Sequence, residues 1–205
     1  MNKNFVITIG RQLGSGGKLV AELLGKRLGI PVYDKQIINE AAKESGLLPS
    51  LFEGADEKES NVRPMGWSTW GLNSAVYSGY INNDTLFGIQ SSTIEKIADQ
   101  GPCVIVGRCA DYVLRDRKNV LTVFITANEE ERIKRLCECR NCEGKEAKQS
   151  IAQTEKRRAA YYNYYTFKTW GAAESYHLCL NSSLLGIEGC VDVIESALAK
   201  LPTTL

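Results

Sequence analysis

Apolar and polar positions change period several times along the chain. Residues 5–9 form a short run rich in β-branched side chains, which predicts a buried strand. Val20, Leu23, Leu24 and Leu28 then recur at helical spacing. Four glycines, Gly10, Gly14, Gly16 and Gly17, separate the two. Gly29 closes the helix, residues 31–33 read as a brief second strand with Asp34 at its C-terminal end, and 35–45 as another helix. Residues 46–90 hold many Gly, Asn and Ser and two of the three tryptophans with no clean period, so they read as an irregular insertion. Order returns with a capped helix over 91–100 and buried strands over 102–107 and 119–126. Asn128 and Glu131 have the spacing of a capping box for a helix over 128–140. A long polar helix carrying Arg157 and Arg158 follows, then a last strand over 176–181 and a closing helix over 187–201. Strands alternating with helices predict an α/β fold whose parallel sheet is covered on both faces.

Composition bounds the setting. A chain of 205 residues with 43% hydrophobic content and 24% charge is the size of one domain, 1–205. Lys plus Arg (25) nearly balances Asp plus Glu (24), so a polyanion must be met by a local cluster and bulk nucleic acid is not an expected partner. The sequence shows neither a signal-peptide layout nor the roughly 18 apolar residues of a membrane span, so a cytoplasmic protein without a membrane partner is expected. Seven cysteines fit reduced thiols there.

The glycine stretch carries the first chemistry. A strand running through glycines into a helix is how chains hold phosphates, yet the spelling G-x-x-x-x-G-K-[ST] is altered: Gly17 takes the lysine's place, Lys18 comes one residue late and Leu19 replaces the hydroxyl. The cradle itself needs backbone N–H groups at a helix N-terminus, and Gly14, Ser15, Gly16, Gly17 and Lys18 can form such an anion nest. Lys18 or Arg11 would then supply the displaced charge. In parallel sheets ligands gather beyond the strands' C-terminal ends. Those ends present Gly10 and Arg11, Asp34, Gly107 and Arg108, Thr126 and Asn181. Arginine forks placed there suit phosphate.

The stretches "ITIGRQLGSGGKLVAELLGKRLGIPVYDKQII", "CVIVGRCADYVL", "VFITANEEERIKR" and "EKRRAAYYNYYTFKTWG...YHLCLNSS" resemble the cytidylate kinase-like family. The resemblance implies a P-loop NTPase-type three-layer fold, with a central parallel sheet of about five strands and helices on both faces. It implies ATP and Mg2+ as the donor system and a nucleoside monophosphate, CMP or dCMP, as acceptor. By the same likeness Gly10, Gly14, Ser15, Gly16, Gly17 and Lys18 hold the donor phosphates and Arg108 contacts the acceptor; Asp34, at its strand end, is read as acceptor-binding, or as the base were the acceptor a hydroxyl, and the 46–90 insertion as acceptor-side. Arg157 and Arg158 belong to a lid region at about 137–158. With Arg11 and Lys18 they form the catalytic set, and no metal ligand is assigned. Cys109 stands where cytidylate kinases carry Asp.

Competing readings remain open at this stage. One is a non-catalytic nucleotide-binding or regulatory protein. Another is a short-chain dehydrogenase, whose pattern is mimicked by Gly10, Gly14 and Gly16 with Tyr164, Lys168 and Ser150. Cys137, Cys139 and Cys142 suggest a metal knuckle, but the single histidine, His177, sits in a strand and gives no fourth ligand. Tyr161, Tyr162, Tyr164 and Tyr165 at helical spacing suit a core or a contact in a homo-oligomer more than base stacking.

Overall fold

The structure, a computed structural model, describes residues 5–34 and 83–201. Strand β1 (Val6–Arg11) leads through the glycine loop into α1 (Gly17–Leu28) and β2 (Val32–Tyr33). Helix α2 (Asn83–Gln100), β3 (Cys103–Val106), the single turn α3 (Ala110–Val113) and β4 (Val120–Thr126) follow. Helices α4 (Glu129–Arg140) and α5 (Gly144–Thr166) form a hairpin before β5 (Leu178–Asn181) and α6 (Ser182–Leu198).

The five strands are all parallel, in the order β2-β3-β1-β4-β5. Parallel strands need crossover connections, which here lay helices over both faces and leave the strands nearly continuous in apolar residues. Ile7 and Ile9 of β1 pack with Val20 and Leu24 of α1 and Val191 and Ile194 of α6. Val6 points the other way, into a second core with Ile105, Leu114 and Ile94 and Ala98 of α2. Each large aliphatic side chain buried this way contributes about 1.5–3 kcal/mol. Central β1 takes β3 on one side and β4 on the other, so the chain reverses its winding there and opens a crevice beyond its C-terminal end. The glycine loop stands in that crevice.

Three expectations change at the element level. Helix α2 begins at Asn83, eight residues before the expected start at 91. Its inward face carries Gln90 and Thr93, 0% and 1% exposed, beside Leu86, Ile94 and Ile97. Asn128 does stand at the N-cap of α4, but its side chain caps no helix amide. Its Oδ1 accepts instead from Asn181 Nδ2 at 3.0 Å, tying the ends of β4 and β5 together. The closing helix starts at Ser182 and ends at Leu198, with non-helical geometry at Gly186, where φ is 69°. The expected helix over 35–45, and residues 46–82 of the insertion, lie outside the described residues.

Candidate functional site

The loop after β1 turns twice through left-handed backbone, at Gly14 (φ 79°) and Gly16 (φ 74°), a conformation that favours glycine. Space requires glycine as well. A Cβ on Gly14 would lie 2.6 Å from the Arg132 carbonyl oxygen, and one on Gly16 would lie 2.6 Å from Ile187 Cδ1. The loop's carbonyls are all engaged from outside or from within. Arg158 Nη1 donates to Arg11 C=O at 3.0 Å, Ser15 Oγ to Gln12 C=O at 2.9 Å and Arg132 Nε to Leu13 C=O at 2.8 Å. Arg135 Nη1 donates to Gly14 C=O and Ser182 Oγ to Ser15 C=O, both at 2.6 Å. Leu13 N–H donates to Glu155 Oε1 at 2.8 Å, and Ser15 N–H to Gln12 C=O at 3.3 Å. Among the described residues, the N–H groups of Gly14, Gly16, Gly17 and Lys18 have no acceptor. Backbone donors left open at a helix N-terminus can bind an anion such as phosphate.

Asp34, at the end of β2, faces this loop. Its Oδ1 lies 3.7 Å from Arg11 Nη2 and its Oδ2 3.7 Å from Lys18 Nζ. Lys18 also meets Glu22, one turn along α1, at 3.7 Å, and its side chain is 61% exposed. Arg11 is more enclosed. Its β-carbon packs against Gly17, and its guanidinium covers Gly107, where an added Cβ would fall 2.1 Å from Nη1.

Gly107 opens the turn after β3, in which three successive residues are left-handed: Gly107 (φ 78°), Arg108 (φ 60°) and Cys109 (φ 54°). A left-handed non-glycine residue costs roughly 1–2 kcal/mol, so this turn holds strain of the kind that gathers at functional sites. It directs Arg108 inward, where burial pushes its guanidinium below the ordinary arginine value, partly offset by the Tyr161 hydroxyl and Asp34. Arg11, Arg108 and Arg158 line a cavity of about 100 Å³ walled by Tyr161, Trp170 and Tyr176. Asp111 also faces it. Desolvation raises the Asp111 carboxyl above the ordinary range, although Tyr162 Oη donates to its Oδ2 at 2.6 Å. Arg157, one residue before Arg158 on α5, donates from Nη2 to Thr154 Oγ1 at 3.4 Å.

The structure brings Gly10, Arg11, Arg108 and Arg158 around one cavity, with Gly14 to Lys18 in the adjoining loop. The sequence reading misses Arg132, Arg135, Glu155, Ser182 and Asp111. Arg132 stands one turn before Leu136, and these are the two buried residues of α4. The aromatic run divides. Tyr162 is 4% exposed in the core, Tyr161 lines the cavity, and Tyr165 stacks on Phe87 at 4.1 Å. His177 has a structural task, its Nδ1 accepting from Thr122 N–H at 3.1 Å. All seven cysteines are free, and among the described residues no three His, Cys, Asp or Glu side chains gather as for a metal.

Fold and loop define the class as a P-loop NTPase-type α/β fold: a central parallel sheet, a glycine loop after its middle strand, and arginines at the crest. The chain belongs to the cytidylate kinase-like family, whose model it matches over residues 6–184. Among solved structures it is similar to an uncharacterized protein from Eubacterium ventriosum ATCC 27560, at 26% identity and TM-score 0.74, covering 96% of this chain and 99% of that one. It shares the fold of shikimate kinase from Bacteroides thetaiotaomicron, at 14% identity and TM-score 0.56, covering 95% and 98%. A gluconokinase from Sinorhizobium meliloti 1021 also shares it, at 13% identity and TM-score 0.54, covering 98% and 95%. No curated protein matches. The fold leaves the dehydrogenase-like pattern without a site: Tyr164 is 55% exposed, and Ser150 Oγ accepts from Arg140 on the surface. No helix among the described residues is long and apolar enough to cross a membrane.

Proposed function

We propose that this protein transfers the γ-phosphoryl group of ATP to a nucleoside monophosphate, with CMP or dCMP as the acceptor. One observation carries the reading: Arg11 joins the two halves of the crest. Its backbone opens the donor loop, while its guanidinium crosses Gly107 into the arginine-lined cavity. A cation so placed lies between a phosphate held by the loop and one held by Arg108 and Arg158.

Phosphoryl transfer depends on alignment and charge neutralisation, and an acceptor phosphate is already an anionic nucleophile that needs no general base. Asp34 then acts as the common partner that steers Arg11 and Lys18, not as a base. Arg158 pins the Arg11 backbone, and with Arg157 it belongs to an α4–α5 lid over residues 137–158. The loop fits the triphosphate through its four open N–H groups. For magnesium it offers no hydroxyl at Leu19, and the Ser15 hydroxyl is committed to Gln12 C=O. Mg2+ bound with the nucleotide's phosphates would supply charge neutralisation there, and Asp34, 3.7 Å from both Arg11 and Lys18, is the carboxylate the two cations share.

A second reading, a nucleotide-binding or regulatory protein without turnover, draws on the exposed Lys18 side chain being shared between Glu22 and Asp34. Radiolabelled ATP incubated with CMP or dCMP separates the two. Slow transfer to the monophosphate is expected, abolished in Arg11→Ala and only weakened in Lys18→Ala. A larger loss in Lys18→Ala would remove Arg11 from the donor role. ATP binding with no transfer to any nucleoside monophosphate would favour the regulatory protein.

A further inference from the structure

We propose that Arg132, Arg135 and Ser182, which touch no phosphate themselves, are positioning residues that aim the N–H groups of the donor loop. The inference rests on the donor-site reading above. In a planar trans peptide the C=O of one residue and the N–H of the next point in opposite directions. Whatever holds a carbonyl outward therefore turns the following N–H inward. Arg132 Nε holds Leu13 C=O at 2.8 Å, which directs the Gly14 N–H into the nest. Ser182 Oγ holds Ser15 C=O at 2.6 Å, which directs the Gly16 N–H the same way. Between them Arg135 Nη1 holds Gly14 C=O at 2.6 Å, which aims the Ser15 N–H at Gln12 C=O and closes the turn.

Arg132 is itself fixed. Its Nη2 lies 3.2 Å from Glu155 Oε2, while Glu155 Oε1 accepts from Leu13 N–H at 2.8 Å. The two charged side chains thus grip the Leu13 peptides from both sides, and both are nearly enclosed, at 9% and 18% exposure. A near-buried ion pair adds little net stability over an apolar packing of the same shape, so its retention here is better explained by the orientation it imposes. Gly14 and Gly16 have the freest backbone of any residue, and without these outer donors their peptide planes could rotate and present carbonyl oxygens to the anion.

The test is calorimetric binding of inorganic tripolyphosphate and, separately, CMP to wild-type protein and to Ser182→Ala, Ser182→Thr and Arg132→Lys. Arg132→Lys keeps the charge but loses the fork that reaches Leu13 C=O and Glu155 together. Ser182→Ala and Arg132→Lys should each weaken tripolyphosphate roughly fivefold to tenfold, the worth of one hydrogen bond, and leave CMP affinity unchanged. Ser182→Thr should restore the affinity. Loss of melting temperature with unchanged tripolyphosphate affinity in Ser182→Ala would overturn the proposal and leave the donor site standing. Equal weakening of tripolyphosphate and CMP would also overturn it. Wild-type protein that binds no tripolyphosphate would overturn the donor site and the positioning role together.

Discussion

Asp34 and Asp111 both face arginines at the crest, and their surroundings give them different work. Asp34 is half-buried between two cations, Arg11 and Lys18, each 3.7 Å away. Asp111 is enclosed by Tyr162 and Tyr176, and desolvation raises its carboxyl above the ordinary value. A carboxyl raised on folding keeps a proton that the unfolded chain has already released, so it costs stability as pH climbs above the ordinary aspartate range. Asp111→Asn keeps an oxygen acceptor for Tyr162 Oη and removes that titration. Its melting temperature should exceed that of wild-type protein at about pH 8, and the difference should shrink steadily towards about pH 4. A difference that stays constant over thermal melts across this range would contradict the assignment. Neither Asp111 nor the Arg132–Glu155 pair was legible in the sequence, because polar residues in "NEEERIKR" or "CADYVL" read as solvated surface until the partner element is known. Arg11 and Arg108 were legible because their place immediately after a strand is itself the signal.

Elements with apolar stripes, β1, α1, β3, β4 and α6, follow from periodicity within a few residues. The first two turns of α2 did not, for a physical reason: Gln90 and Thr93 occupy inward positions, so the core-facing stripe is partly polar and blends into the irregular stretch before it. The glycine loop tests how closely α4 packs on α1's N-terminus. Gly14 and Gly29 are both left-handed, at φ 79° and 66°, but only Gly14 has a neighbour in the way, the Arg132 carbonyl at 2.6 Å. Gly29→Ala should cost about 1–2 kcal/mol, the backbone term alone. Gly14→Ala should cost at least about 1 kcal/mol more by urea unfolding, since its clash is with backbone that cannot turn aside. Equal losses at the two positions would show that α4 yields easily and that the loop is not gripped from that side.

At the scale of the whole molecule, a sheet ordered β2-β3-β1-β4-β5 brings residues from both ends of the chain to one crest. The cradle's walls come from α1, α4, α5 and α6, while the cavity beside it draws on β1, the turn after β3, and α5. With 25 basic and 24 acidic residues, the molecule has no general field to attract a nucleotide, and affinity must arise at the crest itself. The alternation of strands and helices made that layout readable, whereas the latches between distant segments, such as Ser182 on Ser15, depend on tertiary contact and leave no local pattern. The most direct measurement is a crystal structure with ADP and magnesium. The β-phosphate should sit within hydrogen-bond distance of the Gly14, Gly16, Gly17 and Lys18 N–H groups, with the Arg11 guanidinium turned towards the open side where the transferred group would stand. ADP bound elsewhere, or a loop whose N–H groups turn to protein acceptors with nucleotide present, would contradict the account.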